Sequence, residues 1–352
     1  MLTRRGFSLR TVLVPVILAG LSTAALAQSL SENWARCESN ANDDLSVRAC
    51  TALLVLPAGE AKPDVAGIFY NRGAKYSTRS QYDLAIRDFD EAIRLNPSYT
   101  EAFGKRGLAY ARKGQHDRAV QDFDRTIQLK ADDADAFFNR GLAYANQGQY
   151  ARAIPDYEEA IKLKPDDARN FRGRGLAYAM NGQYGRALPD YNQAIKLKPD
   201  DARNFSSRGE VNFYRARWQE AATDLQRSLA IDPLQPYVVL WLHIAKKQRG
   251  QDDVREFSRQ AARMDPSEWP APVARLFLGQ ATPDQVLAAA ASTDAQTGKD
   301  QRCEAAFYLG AHALLQHRTT DAVSLLQQAR DTCPKTFIEY EGAVSELKRL
   351  GK

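Results

Sequence analysis

The stretch "NFRGRGLAYAMNGQY", Asn170–Tyr184, decides the fold. Its Gly-Arg-Gly has the composition of a phosphate loop, which stands once, after a strand and at the start of a helix. Here the pattern is not single. "FYNRGAKYSTRSQY" starts at Phe69, "AFGKRGLAYARKGQH" at Ala102, "FFNRGLAYANQGQY" at Phe137 and "NFSSRGEVNFYRARW" at Asn204. A motif that returns at a fixed interval describes architecture before it describes a ligand.

The interval is 34 residues, marked by Gly73, Gly107, Gly141, Gly175 and Gly209. Twelve residues after each glycine stand Ala85, Ala119, Ala153, Ala187 and Ala221, and twenty-four after stand Pro97, Ala131, Pro165, Pro199 and Pro233. Small residues at fixed places let two antiparallel helices approach closely. Phe69, Phe103, Phe137, Phe171 and Phe205 are expected to fill the gap beside them. Proline ends the second helix because it lacks the amide that a continuing helix needs. Gly114, Gly148 and Gly182 mark turns between the helices. Repeats 3 and 4 (136–169 and 170–203) match at 25 of 34 positions, which suggests a recent duplication.

Period, small residues and terminal prolines together resemble the tetratricopeptide repeat (TPR), over roughly residues 65–267. The resemblance implies an all-α fold: a solenoid of antiparallel helix pairs, wound into a superhelix and closed by variant terminal repeats.

Arginine precedes the glycine in all five repeats: Arg72, Arg106, Arg140, Arg174 and Arg208. Sixteen residues after each arginine comes an acid: Asp88, Asp122, Asp156, Asp190 and Asp224. Arginine on the first helix and aspartate on the second, kept in register, read as a structural ion-pair ladder, since a planar guanidinium grips a carboxylate in two-pronged geometry. Gly173 then marks a helix surface position and not a phosphate loop.

The array fades after Pro233. Residues 236–267 keep a helical pair with Gly250 and Pro266, Thr282-Pro283 reads as an N-cap and first helical position, and Thr293–Asp300 reads as a loop. The frame returns at Gly310, Ala322 and Pro334, so Cys303–Pro334 is a variant repeat. "FIEYEGAVSELKRL" follows as a final helix, expected to turn a polar outer face to solvent, and residues 28–64 form the opposite helical cap. The division is then 1–27, 28–64, 65–267 and 268–352.

Residues 1–27 read as an export signal: "MLTRRGFSLR", the apolar "TVLVPVILAGL", then Ala25–Ala27 as a small-residue cleavage site before Gln28. Thr3–Leu9 also resembles the twin-arginine signal, so either export route leads to the periplasm. Without Arg4, Arg5 and Arg10 the chain carries 45 basic against 43 acidic residues, a charge of +2 that is too weak a bias to argue for nucleic acid or an anionic membrane surface, and no nucleic-acid partner is expected. No later segment is apolar and long enough to span a bilayer. In an oxidising compartment, Cys37, Cys50, Cys303 and Cys333 allow three pairings, and their clustering favours Cys37–Cys50 and Cys303–Cys333.

Catalytic chemistry is not legible. The four histidines (His116, His243, His312, His317) form no i, i+4 metal pair, and the carboxylates recur with the repeat instead of converging. No catalytic residue, metal or cofactor is expected. In TPR proteins the first helices line a concave groove that commonly holds a peptide or a partner helix, as the resemblance implies. The equivalent face here carries Asn71, Lys105 and Asn139 at one repeat position and Tyr70, Phe138 and Arg172 at the position before it. The last third, from "EWPAPVARLFLGQ" through the "FYLG" helix and "FIEYEG", also resembles the NlpI type of envelope TPR protein. That resemblance implies an adaptor bringing a processing protease and cell-wall hydrolases together. The expected function is a non-enzymatic periplasmic scaffold for protein or peptide partners. A structural subunit of a secretion or polysaccharide-export assembly is the alternative.

Overall fold

The computed structural model describes residues 23–39, 41, 44–55, 64–292 and 294–352, which hold nineteen helices and no strand. The chain divides into two compact units, 1–99 and 100–352. The charged and apolar parts of the expected export signal fall in residues 1–22, outside the described residues.

The first unit contains α1 (Thr23–Glu38), α2 (Asp44–Leu54) and the first repeat, α3 (Val65–Thr78) and α4 (Tyr82–Leu95). A disulfide joins Cys37 of α1 to Cys50 of α2 across a Cα separation of 4.8 Å. Both cysteines are buried with Leu53 and Ile68. Lys75 Nζ donates to the carbonyls of Ser39 and Ala41 at 2.7 and 3.0 Å, and Arg72 Nη1 to Thr51 Oγ1 at 3.1 Å. These bonds seat the cap on the first helix of the repeat.

In the second unit, four further repeats pair α5 (Thr100–Arg112) with α6 (His116–Leu129), α7 (Ala134–Asn146) with α8 (Tyr150–Leu163), α9 (Ala168–Met180) with α10 (Tyr184–Leu197), and α11 (Ala202–Tyr214) with α12 (Trp218–Ile231). Each first helix also touches the next first helix, which makes a solenoid with one continuous first-helix face. The turn glycines Gly114, Gly148 and Gly182 have φ of +71°, +71° and +70°. At the corresponding turns Ser80, Ala216 and His317 hold the same left-handed conformation with φ of 58°, 53° and 59°, so the frame persists where its glycine has been lost.

The packing glycines allow close approach, but the filler differs from the expected one. A Cβ on Gly73, Gly107 or Gly209 would stand 2.9 Å from Phe89, Phe123 or Leu225 respectively. With Tyr157 and Tyr191, these second-helix side chains are at most 1% exposed. Phe69, Phe103, Phe137 and Phe205 instead lie under the ladder arginines, with guanidinium carbons 5.5 to 6.0 Å from the ring centres. Gly173 is not a free surface position either: a Cβ there would stand 2.7 Å from the Tyr157 ring.

All five ladder pairs close, at 2.7 Å (Arg72–Asp88), 2.7 Å (Arg106–Asp122), 2.6 Å (Arg140–Asp156), 2.7 Å (Arg174–Asp190) and 2.6 Å (Arg208–Asp224). Nε and Nη2 of each arginine grip both carboxylate oxygens. Arg140 also reaches back to Asp124 of the preceding repeat at 2.6 Å. Burial raises the Asp156 carboxyl despite the arginine beside it, so the ion pair holds a group that is costly to leave alone. Arg140→Ala is expected to cost roughly 1–3 kcal/mol in urea unfolding, with Asp156→Asn in the same chain recovering part of it. A loss unaltered by the second change would show that the pair does not couple the helices.

The C-terminal part comprises α13 (Pro236–Gln248), α14 (Val254–Ala261), α15 (Ala271–Phe277), α16 (Pro283–Ala289), α17 (Ala295–Leu315), α18 (Thr319–Thr332) and α19 (Ile338–Arg349). Thr282 begins α16 with a reciprocal cap: its Oγ1 accepts from Gln285 N at 3.3 Å, and its own N donates to Gln285 Oε1 at 2.9 Å. The loop expected over Thr293–Asp300 is mostly helix, because Asp294 Oδ1 accepts from Thr297 N at 2.7 Å and starts α17 at Ala295. Cys303 therefore sits in the third turn of a 21-residue helix instead of opening it. It is bonded to Cys333 at the end of α18, with a Cα separation of 5.0 Å. The last helix departs furthest from expectation. Glu339, Glu341 and Glu346 of α19 are buried at 3%, 6% and 4% exposure, so its acids face inward.

Candidate functional site

The candidate residues fall in both units and differ in how far packing has claimed them. In the first unit, Tyr70 packs beside Phe89 and Tyr99 with ring centres 6.0 and 5.1 Å away, and Asn71 is its half-buried neighbour. In the second unit, Lys105 is exposed on α5. Phe138 of α7 rests against Tyr157 at 5.7 Å, with the Arg169 guanidinium 5.2 Å from its ring centre, and Asn139 beside it is half-buried. Arg172 of α9 is bound to Asp201, the N-cap of α11, at 2.9 Å. The Asp201 carboxyl is held down at about 2, chiefly by the hydrogen bond from Arg203, with Arg172 adding to it. The charge of Arg172 is thus spent in joining successive first helices. Lys105 and Asn139 are the polar side chains of the set in the second unit that carry no such structural bond among the described residues.

From α11 onward the same face is occupied by the chain itself. α19 lies against α11, α17 and α18. Tyr214 OH donates to the carbonyl of Ile338 at 3.3 Å, and Tyr150 OH to that of Lys335 at 3.2 Å. Gly342 is required at the crossing, since a Cβ there would stand 2.7 Å from Phe307 and 2.8 Å from Trp241. Each inward acid has a partner. Tyr308 OH donates to Glu339 at 2.9 Å, Tyr184 OH to Glu341 at 2.7 Å, and Glu346 pairs with Arg349. Glu304 of α17 accepts from Tyr237 OH at 2.9 Å and from Trp269 Nε1 at 2.6 Å. Burial pushes the Glu339 carboxyl up to about 8, with Glu304 and Glu210 adding like charge. Burial likewise holds Glu210 at about 8 and raises Glu304, Glu341 and Glu346.

Beside α19 a groove of about 820 Å³ separates this helix from the turns of repeats 3, 4 and 5. Sequence reasoning missed it, because it joins residues some 180 positions apart, as the Tyr150–Lys335 bond shows. His243 and Asp253 form a close pair at 3.0 Å, but the histidine is 2% exposed and stacked on Phe257, inside the core. Among the described residues no group of three or more His, Cys, Asp or Glu is arranged to hold a metal ion, and no helix is long and apolar enough to cross a membrane.

Sequence models described as tetratricopeptide repeat match residues 70–136, 138–202 and 172–236, and a second such model matches 106–169. Residues 70–236 are an array of tetratricopeptide repeats. Among solved structures, a TPR protein from Parabacteroides merdae shares 16% identity and a TM-score of 0.57, covering 72% of this chain and 98% of its own. PilW, described as a widely conserved type IV pilus biogenesis factor, shares 17% identity and a TM-score of 0.53, over 59% of this chain and 95% of its own. YrrB, described as a TPR protein with an unusual peptide-binding site, shares 22% identity and a TM-score of 0.45, over 52% and 93%. TPR arrays mediate protein–protein interaction, and in the second unit α19 packs on the first helix α11, beyond the candidate residues of α5, α7 and α9.

Proposed function

We propose that this TPR protein is an exported, non-enzymatic scaffold that captures other proteins in the periplasm and recruits a processing protease or a cell-wall hydrolase. The observation that carries the binding role is the first-helix face of α5 to α9. There Lys105 and Asn139 stand outside the ladder and the glycine–aromatic lattice, with Phe138 and Arg169 as an adjoining aromatic and cationic surface. Two disulfides are in keeping with an oxidising compartment. The signal-like residues 1–27 add support from sequence.

Lys105→Glu combined with Asn139→Ala tests the face without touching the ladder. Thermal stability is expected to stay within about 1 kcal/mol of the parent, while partner recovery from periplasmic extract falls several-fold. Proteases or hydrolases among the captured proteins support the recruiting role. Components of an outer-membrane machine would favour a structural subunit instead. Equal recovery by variant and parent would remove this face as the binding site.

A further inference from the structure

The groove beside α19 has a chemistry distinct from the first-helix face. Its volume of about 820 Å³ lies within the roughly 300–1,000 Å³ of ligand pockets. One side follows the turns of three successive repeats and the other is α19 with Tyr340 and Val344; Tyr150, Tyr184 and Tyr214 form the floor, their hydroxyls reaching across to Lys335, Glu341 and Ile338. Walls that run over three repeats suit an extended chain better than a compact small molecule.

The charges are uneven. Arg215, Lys335 and Lys348 line the groove, are exposed, and have no ion-pair partner among the described residues. The acids of the groove are both engaged, Glu341 by Tyr184 OH at 2.7 Å and Glu346 by Arg349. Three cations are therefore available beside an aromatic wall, and no free carboxylate opposes them. Glu341 also shows how a carboxylate is received here, by a tyrosine hydroxyl at the edge of the repeat turns.

We propose that the groove between α19 and the turns of repeats 3 to 5 binds an acidic, extended peptide segment of a partner protein. The proposal rests on the reading of the chain as a protein-binding scaffold and adds a second place of contact and its chemistry. Aromatic rings contribute apolar contact. Arg215, Lys335 and Lys348 supply charge complementarity, which governs partner choice and encounter rate more than raw affinity.

The test uses the full chain and a fluorescein-labelled peptide of alternating glutamate and leucine, followed by anisotropy. A peptide with lysine in place of glutamate is the control. Saturable binding of the acidic peptide is expected, weakening at least about tenfold between roughly 50 and 300 mM salt as exposed charges are screened. Lys335→Glu with Lys348→Glu is expected to weaken it at least about tenfold more, a change of roughly 1.4 kcal/mol, with an unchanged melting temperature. Lys105→Glu with Asn139→Ala should leave it alone. Equal binding of the two peptides, or retention by the charge-reversed variant, overturns the proposal. Loss through Lys105→Glu alone moves acidic recognition to the first-helix face and overturns it equally. Failure of the scaffold reading would show separately, as an absence of captured periplasmic proteins from a chain that still binds the synthetic peptide.

Discussion

Between about pH 6.5 and about pH 8.5 the C-terminal half of the array is expected to lose several kcal/mol of stability. Glu339 is held near 8 by burial, against an ordinary 4.5, and faces Glu304 and Tyr308 of α17, Glu210 and Tyr214 of α11, and Tyr237 of α13. The folded chain keeps this proton where the unfolded chain has released it. The stabilisation is complete below the unfolded value and is lost as pH rises through the folded one. From pH 6.5 to the folded value, the cost from Glu339 alone is about 2 kcal/mol, at about 1.4 kcal/mol per pH unit. Glu210, also near 8, contributes in the same direction. His312, lowered by burial, acts oppositely, but in the window below its ordinary 6.5. Melting temperatures in matched buffers should fall by about 2–4 °C per kcal/mol, and Glu339→Gln should flatten the profile and exceed the parent above pH 8. A parent chain whose melting temperature stays level from pH 6.5 to pH 8.5 would mean that α19 does not hold its acids protonated.

Breaking the Cys303–Cys333 bond is expected to cost about 3–4 kcal/mol, the chain-entropy value for a loop of this length. The cysteines lie 30 residues apart and tie the middle of α17 to the end of α18, the helix that delivers the chain to α19. Loosening that hairpin also loosens Lys335 and Ile338, whose carbonyls accept from Tyr150 and Tyr214. The Cys303→Ser, Cys333→Ser chain should unfold at lower urea and become sensitive to proteolysis first within residues 333–352. The 13-residue Cys37–Cys50 loop should give a smaller loss. A urea midpoint unmoved by reduction would show that packing alone orders the hairpin.

The repeat was legible because close helix approach and helix ends narrow the choice of residue, so Gly, Ala and, in four of five repeats, Pro return every 34 residues. The ladder was legible for a related reason: a two-pronged pair between side chains wants a guanidinium facing a carboxylate, so both letters return in register. The second-helix fillers escaped notice because Phe89, Phe123, Tyr157, Tyr191 and Leu225 differ in letter while sharing a buried place. The start of α17 reads in sequence as a loop because "TDAQTGKD" is polar and holds a glycine, and the Asp294 cap shows the helix beginning there. Inward glutamates on α19 run against the ordinary exposure of charge, and the tyrosines that receive Glu339 and Glu341 come from distant helices. Of the candidate site, the positions on the first helices were legible. Which of them packing had already claimed was not, since Arg172 meets Asp201 only once the repeats are stacked.

The return of α19 to repeats 3, 4 and 5 has a consequence for how this chain can change length. An array with a free end tolerates the gain or loss of a unit, since each repeat knows only its neighbours. Here Tyr150, Tyr184 and Tyr214 must meet Lys335, Glu341 and Ile338 in that order. One more unit inserted after repeat 5 would shift all three contacts out of step at once. The closing helix therefore fixes what stands immediately before the C-terminal part, namely three successive repeats whose tyrosines meet it, and leaves the rest of the array free to vary in number. Copying of the kind that left repeats 3 and 4 alike at 25 of 34 positions spares that seam, since each copy brings its own tyrosine, Tyr150 or Tyr184, to the same place.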